Sequence, residues 1–302
     1  MKIALKVDAD TYRGTRDGVP RLAEILKRHD AGASFFFSLG PDHTGRAIKR
    51  VFRPGFLSKV SRTSVLAHYG IVTLLYGVLL PGPDIGRRCA EVLRRVRDEG
   101  FDTGIHCWDH VRWQDGVATA GARWVAEEIR RACERYEEVF GEPARAHAAA
   151  GWQMSRHAYR AIQRAGFDYA SDTRGTGPFV PVCDAELVLC PQLPTTLPTF
   201  DELIGTRGTT AENVHERVLA AMEPAPETGH VFTLHAELEG MKLAPAFERL
   251  LEAWRAGGHE LVSLRAMLES MDLRRLPRCT VGTGVVPGRS GTLALQGAPF
   301  LA

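Results

Sequence analysis

Between Lys2 and Met271, short apolar runs alternate with longer stretches of helical periodicity, a pattern that leaves room for little besides a parallel sheet wrapped by crossover helices. Lys2 to Val7 is mostly apolar and stops at Asp8, as expected of a buried strand whose C-terminal end opens onto a site. Val19 to Arg28, with Pro20 near its first turn, carries apolar residues at helical spacing, and Ala33 to Leu39 is β-rich, so the opening unit reads βαβ. The same alternation predicts strands at 101–105, 145–149, 167–171, 186–190, 230–235 and 260–262. It predicts helices at 84–97, 124–140, 159–164, 213–222, 247–254 and 264–271. About seven or eight such steps make a distorted or incomplete (β/α) barrel, of the α/β class. Residues 191–198, with three prolines, are expected to be an irregular connection, and the Gly-rich 278–302 a loosely attached tail beyond a domain at 1–277.

The chemistry-bearing residues fall where such a barrel builds its sites. Asp8, Asp10, His106, Asp172 and His235 all stand at or just past expected C-terminal strand ends. In Gly104-Ile105-His106-Cys107-Trp108-Asp109-His110 two imidazoles four residues apart can converge on one cation. With 11 His in 302 residues, about 0.4 such pairs arise by chance, so the pair needs an oxygen ligand from elsewhere. Val7-Asp8-Ala9-Asp10-Thr11 offers one, and strand geometry puts both aspartates on one face. A carboxylate with two imidazoles suits a divalent ion, with Zn, Mn, Co, Ni and Fe all admissible, and leaves positions open for water and a substrate oxygen.

Charge is nearly balanced, 38 basic against 36 acidic residues, so the overall field calls for no nucleic-acid partner. Six cysteines form no CxxC pair and read as reduced thiols. No secretory leader is expected, because Lys6 and Asp8 interrupt the first apolar run. Residues 41–83 break the barrel rhythm: Arg46, Lys49, Arg50, Arg53, Lys59 and Arg62 lie among apolar residues at helical spacing, ahead of the apolar run 71–80. That run is too short to span about 30 Å of bilayer. The insertion is expected to lie on an anionic membrane surface, with a solvated helical insertion or a dimer contact as the alternatives.

These motifs, in this order, resemble those of the NodB-type polysaccharide deacetylases. The longer matches are Val-Asp-Ala-Asp-Thr-Tyr-Arg-Gly-Thr-Arg at 7–16, Ala-Ser-Phe-Phe-Phe-Ser-Leu-Gly-Pro-Asp at 33–42, Ala-Ala-Ala-Gly-Trp at 148–152 and Ser-Asp-Thr-Arg-Gly at 171–175. They resemble a branch that deformylates undecaprenyl phosphate-linked 4-deoxy-4-formamido-L-arabinose during lipid A modification. The resemblance implies a metal-dependent hydrolase peripheral to the cytoplasmic face of the inner membrane. It implies Asp10, His106 and His110 as metal ligands, Asp8 as base, His235 as general acid and Asp172 as the support of that acid. Backbone N–H groups near Gly151 and Trp152 would hold the oxyanion, and Arg13, Arg16 and Arg174 are candidates to meet the substrate phosphate. Two departures stand out: Cys107 where the family has Ser or Thr, and no arginine at 148–152 to orient the base, a task left to Arg13 or Arg174. The rival expectations are a deacetylase of another N-acylated sugar and a non-catalytic, metal-containing lipid-binding protein.

Overall fold

In chain order the strands are β1 (Lys2–Ala9), β2 (Ser34–Ser38), β3 (Asp102–Cys107), β4 (Ala146–His147), β5 (Tyr169–Ala170), β6 (Val180–Cys183), β7 (Glu186–Leu187), β8 (His230–His235), β9 (Glu260–Val262), β10 (Arg278–Gly284) and β11 (Leu293–Pro299). The principal helices are α1 (Val19–Arg28), α2 (Ala90–Asp98), α3 (His110–Gly116), α4 (Ala122–Phe140), α5 (Arg156–Ala165), α6 (Ala244–Ala256) and α7 (Leu264–Glu269). The computed structural model describes residues 1–47 and 71–301. Most of the insertion expected to meet a membrane, residues 48–70, lies outside the described residues.

The main sheet runs β5-β4-β3-β2-β1-β8, with β9 also on β1, and every pairing is parallel. Ile3, Leu5, Val7 and Ala9 of β1 face an outer apolar layer with Leu22, Ile25 and Leu26 of α1. Ala4, on the other face, joins an inner cluster with Phe36, Tyr169, Val231 and Val262. Leu264, Met267 and Leu268 of α7 belong to that inner cluster too. α7 follows β9, which pairs with the start of β1 at Lys2–Ala4, so the helix plugs the N-terminal end of the half-barrel. The opposite end is left for chemistry.

Among the described residues no regular strand joins β5 to β8. The proline-rich connection at 191–198 does so instead. Leu193 N donates to Ala170 O at 2.8 Å and Thr195 N to Thr173 O at 3.0 Å on one side, while Leu197 N donates to Val231 O at 3.2 Å on the other. Prolines 191, 194 and 198 lack the N–H that an unbroken ladder needs, so the closure is irregular by composition.

Two expectations need correction. The strand expected at 186–190 is not a barrel strand. Its ordered part, β7, turns back antiparallel on β6 through Asp184 and Ala185, both left-handed at φ 51° and 62°. That is the backbone of a two-residue hairpin turn, here built without the glycine that normally announces it. Likewise 278–299 is no loose tail. β10 pairs in parallel with β6, β11 folds back on β10, and the backbone of Arg174 exchanges hydrogen bonds with Ala294 O (2.9 Å) and Gln296 N (2.8 Å). Truncation after Leu276 is therefore expected to lower the melting temperature by about 5 °C or more. An unchanged melting curve would mean that the segment contributes nothing to the fold.

Candidate active site

Alternation along β1 sends Lys6 and Asp8 to the same inner face as Ala4, and Asp10 follows just past the strand end; all three are buried. Asp8 is the register partner of His235 on β8, so the two side chains leave neighbouring strands on one face. β3 delivers His106. Its register with β2 steps from Phe37↔Ile105 to Ser38↔Cys107, leaving His106 at an irregularity of the kind that re-aims a side chain. Two residues earlier, Gly104 has no room for a Cβ, which would lie 2.7 Å from both Ala146 O and the Phe36 ring.

His110 is the first residue of α3, whose N-cap Asp109 accepts from Arg112 N at 3.0 Å. The other Asp109 oxygen meets His43 Nδ1 at 2.6 Å, and Gly40 N donates to Trp108 O at 2.7 Å. The chain just after β2 thus splints the histidine loop. Cys107, between the two histidines, has its Sγ 3.3 Å from Ser38 Oγ.

Asp10 Oδ1 lies 3.2 Å from His106 Nε2 and 3.4 Å from His110 Nε2. Ligand atoms about 2.1 Å from a tetrahedral ion stand about 3.4 Å apart, so the spacing fits a shared cation. Asp10 Oδ1 and His106 Nε2 are buried without a hydrogen-bond partner, an expensive arrangement that a metal between them would resolve. Among the described residues this is the one group of three such donors close enough to share an ion. Burial would push the Asp10 carboxyl up, but the His110 and His106 imidazoles hold it far below the usual range. For His106, burial opposes charge, yet the Asp8 and Asp10 carboxylates raise its pKa above the ordinary value.

His235 presents its ring edge-on to Trp152 at 6.3 Å, and its Nδ1 is buried without a partner. The expected pairing of Asp172 with His235 is not made. Asp172 Oδ1 instead accepts from Ala149 N at 2.8 Å and meets His147 Nδ1 at 2.7 Å, and its Oδ2 accepts from Gln192 Nε2 at 2.9 Å. Its position after β5 points it into the β4 loop, so it fixes Ala149 rather than His235. Trp152 N is spent on Ala149 O at 3.0 Å and is no oxyanion donor. Arg174 is buried against Glu202, Thr195 O and Leu197 O and is not poised for a phosphate, while the exposed Arg16 forks onto its neighbour Asp17 at 2.6 and 2.7 Å. Arg13 is half-buried.

Three participants escaped the sequence reading. Lys6 Nζ lies 3.0 Å from Asp8 Oδ2. Glu237 accepts from Asp10 N at 3.0 Å and from Thr11 N and Oγ1 at 2.8 Å, orienting the metal-side aspartate; burial and the Asp10 charge push its carboxyl well above the usual range. Glu239 accepts from His235 N at 2.7 Å, and burial pushes it up to about 8. The available signal was two glutamates directly after the His235 strand, at a depth where unpaired acids are rare.

Residues 2–170 match the sequence profile of the family described as polysaccharide deacetylase. The chain belongs to the polysaccharide deacetylase family. It is 38% identical over 295 residues, 98% of its length and 94% of the relative's, to a Shewanella sediminis protein named probable 4-deoxy-4-formamido-L-arabinose-phosphoundecaprenol deformylase ArnD. A Wigglesworthia glossinidia brevipalpis protein of the same name is 30% identical, over 94% of this chain and 98% of that one. Among solved structures, a Mycobacterium smegmatis protein named as a polysaccharide deacetylase superposes with TM-score 0.62 at 16% identity, covering 94% of each chain. A family 4 acetyl xylan esterase from Clostridium thermocellum, in complex with a cobalt ion, gives TM-score 0.51 at 12% identity, over 89% of this chain and 91% of that one. The half-barrel is thus the fold of these deacetylases.

Replacing His106 and His110 together by Ala should abolish retention of about one divalent ion per chain, read by elemental analysis of the gel-filtered, folded protein. Wild-type metal content in that variant would remove the three-donor site.

Proposed function

We propose that this deacetylase-family chain hydrolyses the formamide of undecaprenyl phosphate-linked 4-deoxy-4-formamido-L-arabinose, releasing formate and the amino-sugar lipid. The observation that carries this is a coincidence: near full-length identity to proteins named for that reaction, and a three-donor cluster beside Asp8 and His235. Asp10, His106 and His110 would hold a divalent ion, which supplies an acidified water and an electrophile for the amide oxygen. Asp8 takes the proton of the attacking water through Oδ1, which is buried and free of hydrogen bonds. His235, on the neighbouring strand, protonates the departing amine nitrogen. Asp8→Asn is expected to lower formate release from the lipid-linked sugar by about 10²–10⁴-fold while metal content stays at the wild-type level. Wild-type turnover in that variant would end the assignment of Asp8 as base.

We further propose that the insertion at 41–83 meets the anionic surface of the cytoplasmic leaflet, where such a substrate would present its headgroup. Val72, Val78, Leu79 and Leu80 are exposed apolar residues of its described part, which supports the reading. No helix of the described residues is long and apolar enough to cross a membrane. The double substitution Val78→Glu and Leu79→Glu should reduce cosedimentation with phosphatidylglycerol-containing vesicles several-fold without unfolding the protein. Undiminished pelleting would overturn the membrane role of this segment.

A further inference from the structure

The family resemblance leaves the base without its arginine, and the structure puts another cation against it. Lys6 is fully buried two residues before Asp8 on the same face of β1, so strand geometry alone brings the two side chains together. Its Nζ lies 3.0 Å from Asp8 Oδ2, donates to Ser171 O at 3.2 Å and sits 4.9 Å from the centre of the Trp152 indole. These contacts occupy the ammonium and leave it no access to solvent or to a substrate phosphate. The same arrangement divides the Asp8 carboxylate. Oδ2 is tied to Lys6, while Oδ1 carries no hydrogen bond and stands 3.8 Å from His106 Nδ1, the second nitrogen of the ring whose Nε2 faces Asp10.

We propose that Lys6 is the positioning residue of the base, anchoring Asp8 by one oxygen so that the other faces the water. It acts from the strand beneath the site, whereas the family arginine would act from the 148–152 loop. The wall above Lys6 is fixed independently: Trp152 is held in a left-handed conformation at φ 52°, its Nε1 donates to Thr195 Oγ1 at 3.2 Å, and Arg174 and Arg289 lie 5.3 and 4.7 Å from the ring centre. A lysine so enclosed has one geometry, which is what a positioning role requires.

This inference rests on Asp8 being the base, and a double-mutant cycle separates the two claims. Formate release from the formamido-arabinose lipid is measured for wild type, Lys6→Met, Lys6→Arg, Asp8→Asn and the double variant Lys6→Met with Asp8→Asn, each with its metal content. Lys6→Met is expected to lower kcat by about 10²-fold, the scale of a misplaced reacting group, with KM within about threefold and metal content unchanged. Lys6→Arg should recover to within about tenfold of wild type, and the double variant should be no slower than Asp8→Asn alone. Wild-type kcat in Lys6→Met, equal losses in Met and Arg variants, or a double variant slower than Asp8→Asn by the full Lys6→Met factor would each overturn the positioning role while leaving the base in place. A wild-type rate for Asp8→Asn would overturn both. Should Lys6→Met fail to fold with Asp8 left unpaired, the arginine and double variants still decide, since one keeps the cation and the other removes both charges.

Discussion

Charge buried in the middle of the half-barrel is what the rest of the structure must accommodate. Lys6 and Asp8 follow one another on the inner face of β1 and Asp10 comes just past its end, all withdrawn from water. Removing one partner of such a pair costs about 3–5 kcal/mol, because the other is left as an uncompensated buried charge. The surroundings are organised accordingly. Ser171 O and the Trp152 face complete the lysine, Glu237 gathers the backbone around Asp10 and Thr11, and the His106 and His110 imidazoles lean on the Asp10 oxygen. Apolar packing fills the lower half of the barrel and excludes water from beneath these groups, which keeps their mutual attractions strong.

Trp152 links this interior to parts of the chain far away in sequence. A left-handed conformation costs a non-glycine residue about 1–2 kcal/mol. Three cations around one indole, each worth about 0.5–2 kcal/mol, offset that cost and hold the ring between Lys6 and His235. One of them, Arg289, lies between β10 and β11 and is itself held by Asp201 and Glu202. The C-terminal strands therefore bear on the wall of the site, and the same segment covers the backbone of Arg174.

Much of the site was legible because barrels put chemistry at strand ends, and strand ends are readable from where apolar runs stop. Asp8, Asp10, His106 and His235 could each be picked out in this way, His110 by its spacing from His106, and the structure brings them to one end of the sheet. Asp172 was located correctly at the end of β5 but given the wrong partner, since nothing in a sequence tells which of two histidines, His147 or His235, a carboxylate will face. Lys6 was read only as an interruption of the first apolar run, in the middle of its strand. Its importance comes from the alternation that turns it inward beside Asp8, while Glu237 and Glu239 matter because the chain after β8 folds back under Asp10 and His235. The hairpin at Asp184–Ala185 and the docking of 278–299 were missed for a related reason. One lacks glycine at its turn, and the other pairs with residues about a hundred positions earlier.

Periodicity and residue type by themselves determined the alternation of strand and helix, the parallel sheet, and the placing of aspartates and histidines at its C-terminal edge, because those properties follow from local geometry repeated along the chain. The tertiary structure alone decided which cation anchors Asp8, which histidine takes Asp172, how a proline-rich stretch closes the sheet between β5 and β8, and that the last strands brace Trp152. These depend on pairings between residues far apart in sequence, whose energies come from burial and from the few hydrogen-bond partners that burial leaves within reach.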